Sequence, residues 1–262
     1  DIDYARSVVN KLSDRTMFGR GYVAAGEKKA ANFIRKEMKK AGLKSFSKNY
    51  FQLFTLPINT FPDTIEVAID GKTLEPGKNF AVFSNSPDVN GTYELVFISA
   101  DSVLNDTLNQ FFPDKKLQNK VVVTESSRRL MKMANPFGSA GIIYKEDKKI
   151  WWHVSNGFEV KDYFTLSILS ENIPDHSKEI SLHVNSSFQP EYLTQNVIGY
   201  VKGNQSDSMI LIGAHYDHLG MMGNEVWFPG ANDNASGTAM MLDLARLYGN
   251  KKNRPAYSMV FM

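Results

Sequence analysis

The 262-residue sequence predicts an α/β fold that is interrupted by a mostly β segment. Three observations support this prediction. The chain opens with helical patterns, its middle consists of short β-rich segments separated by Pro, Asn, Asp and Gly, and its last part alternates strand, helix and strand. Alternating apolar strands and helices are typical of an α/β sheet, whereas a succession of short strands indicates a separate β region.

Two helices are predicted at the start of the chain. In residues 26 to 41, apolar side chains recur at i, i+3, i+4, i+8 and i+11 from Ala30, lysines fill the opposite face, and Gly42 follows as a stop. Residues 4 to 12 show a shorter pattern of the same kind. The Gly-rich stretch "FGRGY" between them is interpreted as a connection.

Residues 68 to 188 are predicted to be mostly β. Segments such as "YELVFI", "KVVVTE" and "GIIYKE" are short and rich in β-branched residues, and "TIEVAI" alternates before a "DGK" turn that predicts a hairpin. Two short helices are predicted to interrupt this region, one near residues 101 to 111 and one near residues 126 to 135.

The last part of the chain predicts a buried sheet. "NVIGYVKG" and "SMILIGAH" are apolar runs separated by a polar turn, so we predict two buried strands joined by a hairpin. A helix is predicted from about Ala235 to Tyr248, where Gly249 provides a stop, and "YSMVFM" predicts a further buried strand.

The composition limits both the classes of binding partner and the residue types that could bind a metal. The formal charge of +2 is too balanced to favour nucleic acid, and no run approaches the roughly 18 apolar residues of a membrane span. The sequence has no cysteine, which excludes disulfides, thiolate zinc sites and a cysteine nucleophile. A metal must therefore be bound by carboxylates and by the five histidines: His153, His176, His183, His215 and His218.

The stretch 213 to 239 combines the residue types of a metal site. His215 follows an apolar strand, where α/β folds bind ligands, and Asp217 lies two residues further on, within reach of its imidazole. Asp233 precedes the predicted helix, next to Asn234 and Ser236. Each cluster alone is more typical of a loop or a helix cap. Together they converge on one edge of the sheet, which favours a metal site.

These residues resemble a known family. "AHYDHLG" followed by "PGANDNASGTA" resembles the zinc-dependent M28 peptidases, and the similarity covers about residues 1 to 60 and 190 to 262. The β-rich middle is similar to the protease-associated domain that some members carry as an insertion. The resemblance thus implies an incomplete three-layer αβα peptidase domain with a mixed sheet in residues 1–67 and 189–262, and an inserted, mostly β protease-associated-like domain in residues 68–188.

The resemblance also implies roles for individual residues. His215 would bind one of two zinc ions, Asp233 would bridge both, Asp217 would orient His215 for catalysis, and the Asp233–Asn234 peptide bond would be cis. The implied activity is that of a secreted or cell-envelope exopeptidase, most simply an aminopeptidase, which hydrolyses peptides through a metal-activated water.

The sequence departs from the family pattern in one respect. The family's general base is the first of two adjacent glutamates after the strand that corresponds to "YSMVFM", yet the sequence has no Glu-Glu pair. We therefore expect a C-terminally truncated chain that is inactive alone, with partial or no zinc occupancy and with uncovered sheet edges that favour self-association. The alternatives are a non-catalytic peptide-binding relative and a single-zinc glutaminyl cyclase.

The remaining histidines and the aromatic residues of the loop between the two motifs have other predicted roles. His218 is interpreted as a loop or pocket-wall residue, and the three histidines of the β-rich middle as structural. The loop between the two motifs must pass the metals, so its aromatic residues are expected either to line the substrate pocket or simply to pack within the loop: Tyr216, Trp227 and Phe228.

Overall fold

The computed structural model describes residues 1–101, 115–154 and 157–262, and these form two compact units. Unit 1 comprises residues 1–56, 191–221 and 227–262. Unit 2 comprises residues 57–190 and 222–226. None of the helices in the described ranges is long and apolar enough to cross a membrane.

The helices follow the sequence patterns closely. Those with complete bounds in the described residues are α1 (Ile2–Leu12), α2 (Gly26–Lys40), α3 (Arg128–Met131) and α4 (Ser236–Gly249). The predictions for α1, α2 and α4 are confirmed, and α3 is a shorter helix than predicted for residues 126 to 135. The helix predicted near residues 101 to 111 lies, apart from Asp101, outside the described residues.

The strands in the described residues have the following bounds: β1 (Phe51–Thr60), β2 (Glu66–Ile69), β3 (Lys72–Thr73), β4 (Phe80–Val82), β5 (Val89–Phe97), β6 (Lys120–Glu125), β7 (Gly141–Glu146), β8 (Phe164–Leu169), β9 (Glu179–Val184), β10 (Ser187–Val197), β11 (Gly199–Val201), β12 (Gln205–Ile212), β13 (Met221–Met222), β14 (Val226–Trp227) and β15 (Tyr257–Phe261).

Unit 2 is built on an eight-stranded mixed sheet. Its order is β3-β2-β9-β5-β6-β7-β8-β4, with β5 to β8 parallel and the other pairs antiparallel. The central parallel strands are buried on both faces, which explains the nearly continuous apolar runs of β6 and β7. The predicted hairpin at "DGK" is confirmed, because β2 pairs with β3 across Asp70 and Gly71.

Unit 1 packs its helices and a three-stranded mixed sheet into one core. The sheet order is β11-β15-β12, and β15 is antiparallel to β11 and parallel to β12. Apolar residues form the buried cluster, most of them from α1, α2, α4 and β15: Val8, Leu12, Ala30, Ala31, Ile34, Met38, Leu43, Val197, Ala235, Ala239, Met241, Leu242, Ala245, Met259 and Phe261. The predicted α/β class with a mixed sheet is therefore confirmed.

The hairpin predicted between "NVIGYVKG" and "SMILIGAH" is wrong. The strand β15 lies between β11 and β12, so these two strands do not pair. The prediction that β12 is buried is also wrong, because Met209 is 60% exposed and Leu211 is 60% exposed. Strands that are close in sequence often pair with each other, but here β15 is the hydrogen-bonding partner of both β11 and β12.

Candidate metal centre

The loops that carry His215 and Asp233 meet beyond the end of β12. His215 lies three residues after this strand, and the Ala214 N–H donates a hydrogen bond to the carbonyl oxygen of Met262 (2.9 Å). The hydroxyl of Thr238, in α4, donates to the carbonyl oxygen of His215 (3.2 Å). Asp233 lies in the turn Ala231–Ala235, directly before α4. The His215 imidazole and the Asp233 carboxylate are thus held next to each other, with Nε2 and Oδ1 3.3 Å apart.

The two ring nitrogens of His215 face different carboxylates. Nε2 faces Asp233, whereas Nδ1 lies 3.4 Å from Oδ1 of Asp217 and 3.3 Å from the Asp217 carbonyl oxygen. A proton held on Nδ1 by Asp217 leaves the lone pair of Nε2 free for a metal. The arrangement therefore fits the ligand and orienting roles that the resemblance implies for His215 and Asp217.

The turn before α4 leaves the Asp233 carboxylate available. The amide oxygen of Asn234 accepts a hydrogen bond from the Gly237 N–H (3.1 Å), and the Ser236 hydroxyl donates to the carbonyl oxygen of Asn232 (2.8 Å). Asn234 and Ser236 thus make the local bonds expected at a helix start, while the Asp233 side chain, 69% exposed, faces His215. The Asp233–Asn234 peptide bond is cis, which confirms that expectation.

His218 lies close to the Asp233 carboxylate. Its Nδ1 is 3.9 Å from Oδ2 of Asp233, and its side chain is only 13% exposed. Burial lowers the pKa of His218, and the Arg20 guanidinium lowers it further, so the neutral imidazole is favoured. Its interpretation as a wall residue stays a prediction, with Asp233 as the neighbour that the structure adds.

Arg20 contacts both loops, although the sequence predicted only that it lies in the Gly-rich connection between the first two helices. It is fully buried, and its guanidinium donates hydrogen bonds to the carbonyl oxygens of Tyr216, Gly230 and Asp233. An arginine between two glycines in "FGRGY" was the only sequence signal for this role.

A cavity of about 300 Å³ lies beside His215 and Asp217 within unit 1. Tyr216 lines it, whereas Trp227 and Phe228 are not among its described lining residues. Burial raises the pKa of Tyr216 to about 12. The phenol therefore stays protonated, donating to the Gln195 carbonyl oxygen (2.6 Å) and accepting from the Gln195 amide (3.0 Å).

The donor pair fits zinc in chemistry and in spacing. Zinc binds imidazole nitrogen and carboxylate oxygen at about 2.0 to 2.2 Å, and two such donors around one tetrahedral ion lie about 3.3 Å apart. The observed 3.3 Å between Nε2 of His215 and Oδ1 of Asp233 matches this spacing. Within the described ranges, however, no group of three or more His, Asp or Glu side chains could hold a metal. The described residues therefore bring together two side chains of the types that bind zinc, whereas a catalytic zinc requires three or more protein ligands.

Part of the chain is similar to known peptidases. Residues 196–262 match the model of peptidase family M28. A probable zinc metalloprotease of Pyricularia oryzae is 39% identical over 69 residues, which is 25% of this chain and 13% of that protein.

Solved structures share the fold at low sequence identity. The zinc aminopeptidase BSAP from Bacillus subtilis aligns over 99% of this chain and 60% of its own, with a TM-score of 0.69 and 20% identity. An aminopeptidase from Aneurinibacillus sp. strain AM-1 aligns over 100% of this chain and 62% of its own, with a TM-score of 0.67 and 20% identity.

The chain spans about three fifths of these solved aminopeptidases and a much smaller share of the fungal metalloprotease. The match to the family model covers the strands, the two loops and the helix that together position His215 and Asp233. The part of the chain that is similar to peptidase family M28, residues 196–262, thus contains His215, Asp217 and Asp233.

Proposed function

We propose that this chain forms part of a zinc-dependent exopeptidase and that the activity of the whole protein is that of an aminopeptidase acting on peptides. His215 and Asp233 bind zinc, and Asp217 orients His215. The observation that carries this proposal is the 3.3 Å separation of Nε2 of His215 and Oδ1 of Asp233. The match of residues 196–262 to the M28 family supports the reaction class.

The chemistry divides between the metal and the chain. When bound, zinc acts as a Lewis acid that polarises a peptide carbonyl and lowers the pKa of water. The chain's own residues supply the imidazole lone pair, the proton held at Nδ1 of His215 and the anionic Asp233 oxygens. Peptide hydrolysis also requires a general base, and the sequence contains no pair of adjacent glutamates to provide one.

We therefore propose that the 262-residue polypeptide binds zinc weakly and does not hydrolyse peptides. Two zinc ions belong to the complete centre, whereas His215 and Asp233 alone hold at most one. A secreted or cell-envelope location and a protease-associated-like role for unit 2 belong to the same proposal, and both rest on the resemblance of the sequence.

A zinc titration tests the donor pair directly. We expect competition with a chromophoric chelator to show one bound zinc for the wild-type chain, and at least about tenfold weaker binding for His215→Ala and for Asp233→Asn. His153→Ala removes an exposed histidine of unit 2 and is the matched control, which we expect to bind as the wild type does. Equal zinc affinity in the wild type and His215→Ala would contradict the proposed ligands.

Hydrolysis of an aminoacyl p-nitroanilide tests the second part of the proposal. We expect no zinc-dependent release of nitroaniline from the 262-residue chain. Release that His215→Ala abolishes would show that a general base exists within these residues and that the proposed inactivity is wrong. Cyclisation of an N-terminal glutaminyl peptide without hydrolysis would instead identify a cyclase.

A further inference from the structure

Arg20 is the most completely buried cation near the proposed metal centre. Its relative exposure is 0%, and within the described residues it forms no ion pair with a carboxylate. Burial lowers the pKa of Arg20, whereas the negative charges of Asp217 and Asp233 act in the opposite direction and favour its protonated form. Charged side chains are rarely this buried unless hydrogen bonds compensate them, so the contacts of Arg20 require an explanation.

All five N–H groups of the guanidinium are accounted for by backbone carbonyls. Nε donates to Tyr216 (2.6 Å), Nη1 to Leu12 and Pro229 (2.7 Å each), and Nη2 to Gly230 (2.7 Å) and Asp233 (3.3 Å). An arginine has five such donors in a rigid planar fork. Its whole donor capacity is thus directed at three segments of backbone.

Two of these segments are the loops that carry the proposed ligands. Tyr216 lies between His215 and Asp217, and the segment from Pro229 to Asp233 leads into the turn before α4. Without the guanidinium, the partially negative carbonyl oxygens of the two loops would face one another and repel. The guanidinium replaces that repulsion with charge-assisted hydrogen bonds, and it fixes the separation of the two loops by its own rigid geometry.

The surrounding backbone is shaped to admit this side chain. Phe18, Gly19 and Arg20 all have positive φ angles, and the N–H groups of His218 and Gly220 donate to the carbonyl oxygens of Arg20 (3.3 Å) and Gly19 (3.0 Å). At Gly230, an added methyl group would overlap the Arg20 guanidinium and the His218 ring. The close approach of the loop to Arg20 therefore requires glycine at that position.

We propose that Arg20 is the positioning residue of the metal centre, a cationic clamp that holds the His215 loop and the Asp233 loop at ligand spacing before any metal binds. The role as a metal centre rests on the proposed function, whereas the clamp between the loops rests on the hydrogen bonds alone. Lysine cannot replace it, because an ammonium has three donors and no planar fork.

Arg20→Lys tests the clamp, with two controls. Ile34→Ala removes a buried side chain of α2 and lowers stability without touching either loop. Arg6→Lys makes the same substitution at an exposed position of α1. Hydrogen–deuterium exchange of the full 262-residue chain is measured without metal, and zinc affinity is measured by chelator competition at a temperature where every variant is folded.

We expect Arg20→Lys to accelerate exchange at least about tenfold in peptides covering residues 214–220 and 229–235, to weaken zinc binding at least about tenfold, and to mix the two imidazole tautomers of His215 in nitrogen NMR spectra. Ile34→Ala and Arg6→Lys are expected to keep zinc affinity within about twofold of the wild type. Gly230→Ala, which retains the charge but crowds the guanidinium, is expected to reproduce the Arg20→Lys pattern and serves if Arg20→Lys does not fold.

Two results would overturn the inference. Unchanged exchange in both loops of Arg20→Lys would show that the clamp does not exist. Loss of zinc affinity in Ile34→Ala as large as in Arg20→Lys would show that Arg20 acts only through general stability. If the wild-type chain binds no zinc, the proposed metal function fails, and the exchange and NMR measurements still decide whether Arg20 holds the loops.

Discussion

His215 has its two ring nitrogens in different surroundings, and Asp217 is the residue that creates the difference. Both the Asp217 carboxylate and the Asp217 carbonyl oxygen lie within 3.4 Å of Nδ1. The backbone carbonyl can hold the Nδ1 proton by itself, so the carboxylate contributes mainly negative charge that makes Nε2 a better donor. A substitution at position 217 separates these two contributions.

We predict that Asp217→Asn weakens zinc binding by roughly tenfold, since outer-shell partners of histidine ligands typically contribute 10- to 100-fold in metal affinity. The measurement is zinc affinity by chelator competition. Asp207→Asn, which changes an exposed carboxylate on β12, is the control and is expected to leave affinity unchanged. Zinc affinity of Asp217→Asn within about twofold of the wild type would assign the orienting role to the backbone carbonyl alone.

Glu27 makes the stability of unit 1 dependent on pH. Its side chain is 2% exposed at the start of α2, and Oε1 accepts a hydrogen bond from the Tyr192 hydroxyl (2.7 Å). Burial raises the pKa of Glu27 above its usual value of 4.5, although the Tyr192 hydrogen bond opposes that change. The folded state therefore holds the proton more tightly than the unfolded state.

The contribution of Glu27 to stability is fully present below pH 4.5 and is lost as the pH rises through the raised pKa. We predict that the free energy of unfolding of the wild type falls relative to that of Glu27→Gln as the pH rises above 4.5, measured by urea denaturation. Glu191→Gln, which changes an exposed carboxyl group, should leave the pH profile of the wild type intact. Parallel profiles for the wild type and Glu27→Gln would refute the prediction.

Residue types alone predicted part of the candidate site. Histidine after a strand and aspartate before a helix are recognisable because metal chemistry restricts the ligands to few residue types, and the absence of cysteine restricts them further. Arg20 carried no such mark. Its role depends on four carbonyl groups more than 190 residues away in sequence and on that of Leu12, which no local pattern connects.

At the scale of elements, the three long helices were predictable, whereas strand pairing was predictable only for the local hairpin of β2 and β3. The amphipathic pattern of α2 specifies its buried face within one segment, and Ala30, Ile34 and Met38 lie in the core as the spacing predicts. Strand pairing requires a partner from elsewhere in the chain. The strand β15 separates β11 from β12 although it follows β12 by about 45 residues, which no local turn signal reveals.

The strand β12 has unpaired backbone groups and exposed apolar side chains. It pairs with β15 alone among the described strands, and Met209, Ile210 and Leu211 are 60%, 46% and 60% exposed. An apolar edge strand favours pairing with another chain, so we propose that the 262-residue chain self-associates through β12.

We predict that Leu211→Lys decreases this self-association, because a lysine on an edge strand must lose its hydration when two edges meet. Sedimentation velocity at increasing protein concentration measures the change. Met240→Lys introduces the same charge at an exposed apolar position of α4 and controls for net charge. Concentration-dependent association of Leu211→Lys equal to that of the wild type would place the contact elsewhere.

At the scale of the whole molecule, the change from helical patterns to short β-rich segments along the sequence indicated two regions. The predicted β-rich segment was 68–188, and unit 2 comprises residues 57–190 together with 222–226. The short segment 222–226 shows the limit of such a prediction, since a stretch of chain can join a unit through long-range contacts that its composition does not reveal. The identity of unit 2 as a protease-associated-like domain stays a prediction.

The sequence by itself determined the α/β class and the three long helices, and it predicted His215 and Asp233 as metal donors, because periodicity and ligand chemistry are local properties of the chain. Tertiary structure decided the strand order, the exposure of β12, the 3.3 Å spacing of the donor pair and the clamp by Arg20. These features depend on which distant segments meet, and a buried guanidinium that satisfies carbonyls from three segments exists only after the chain has folded around it.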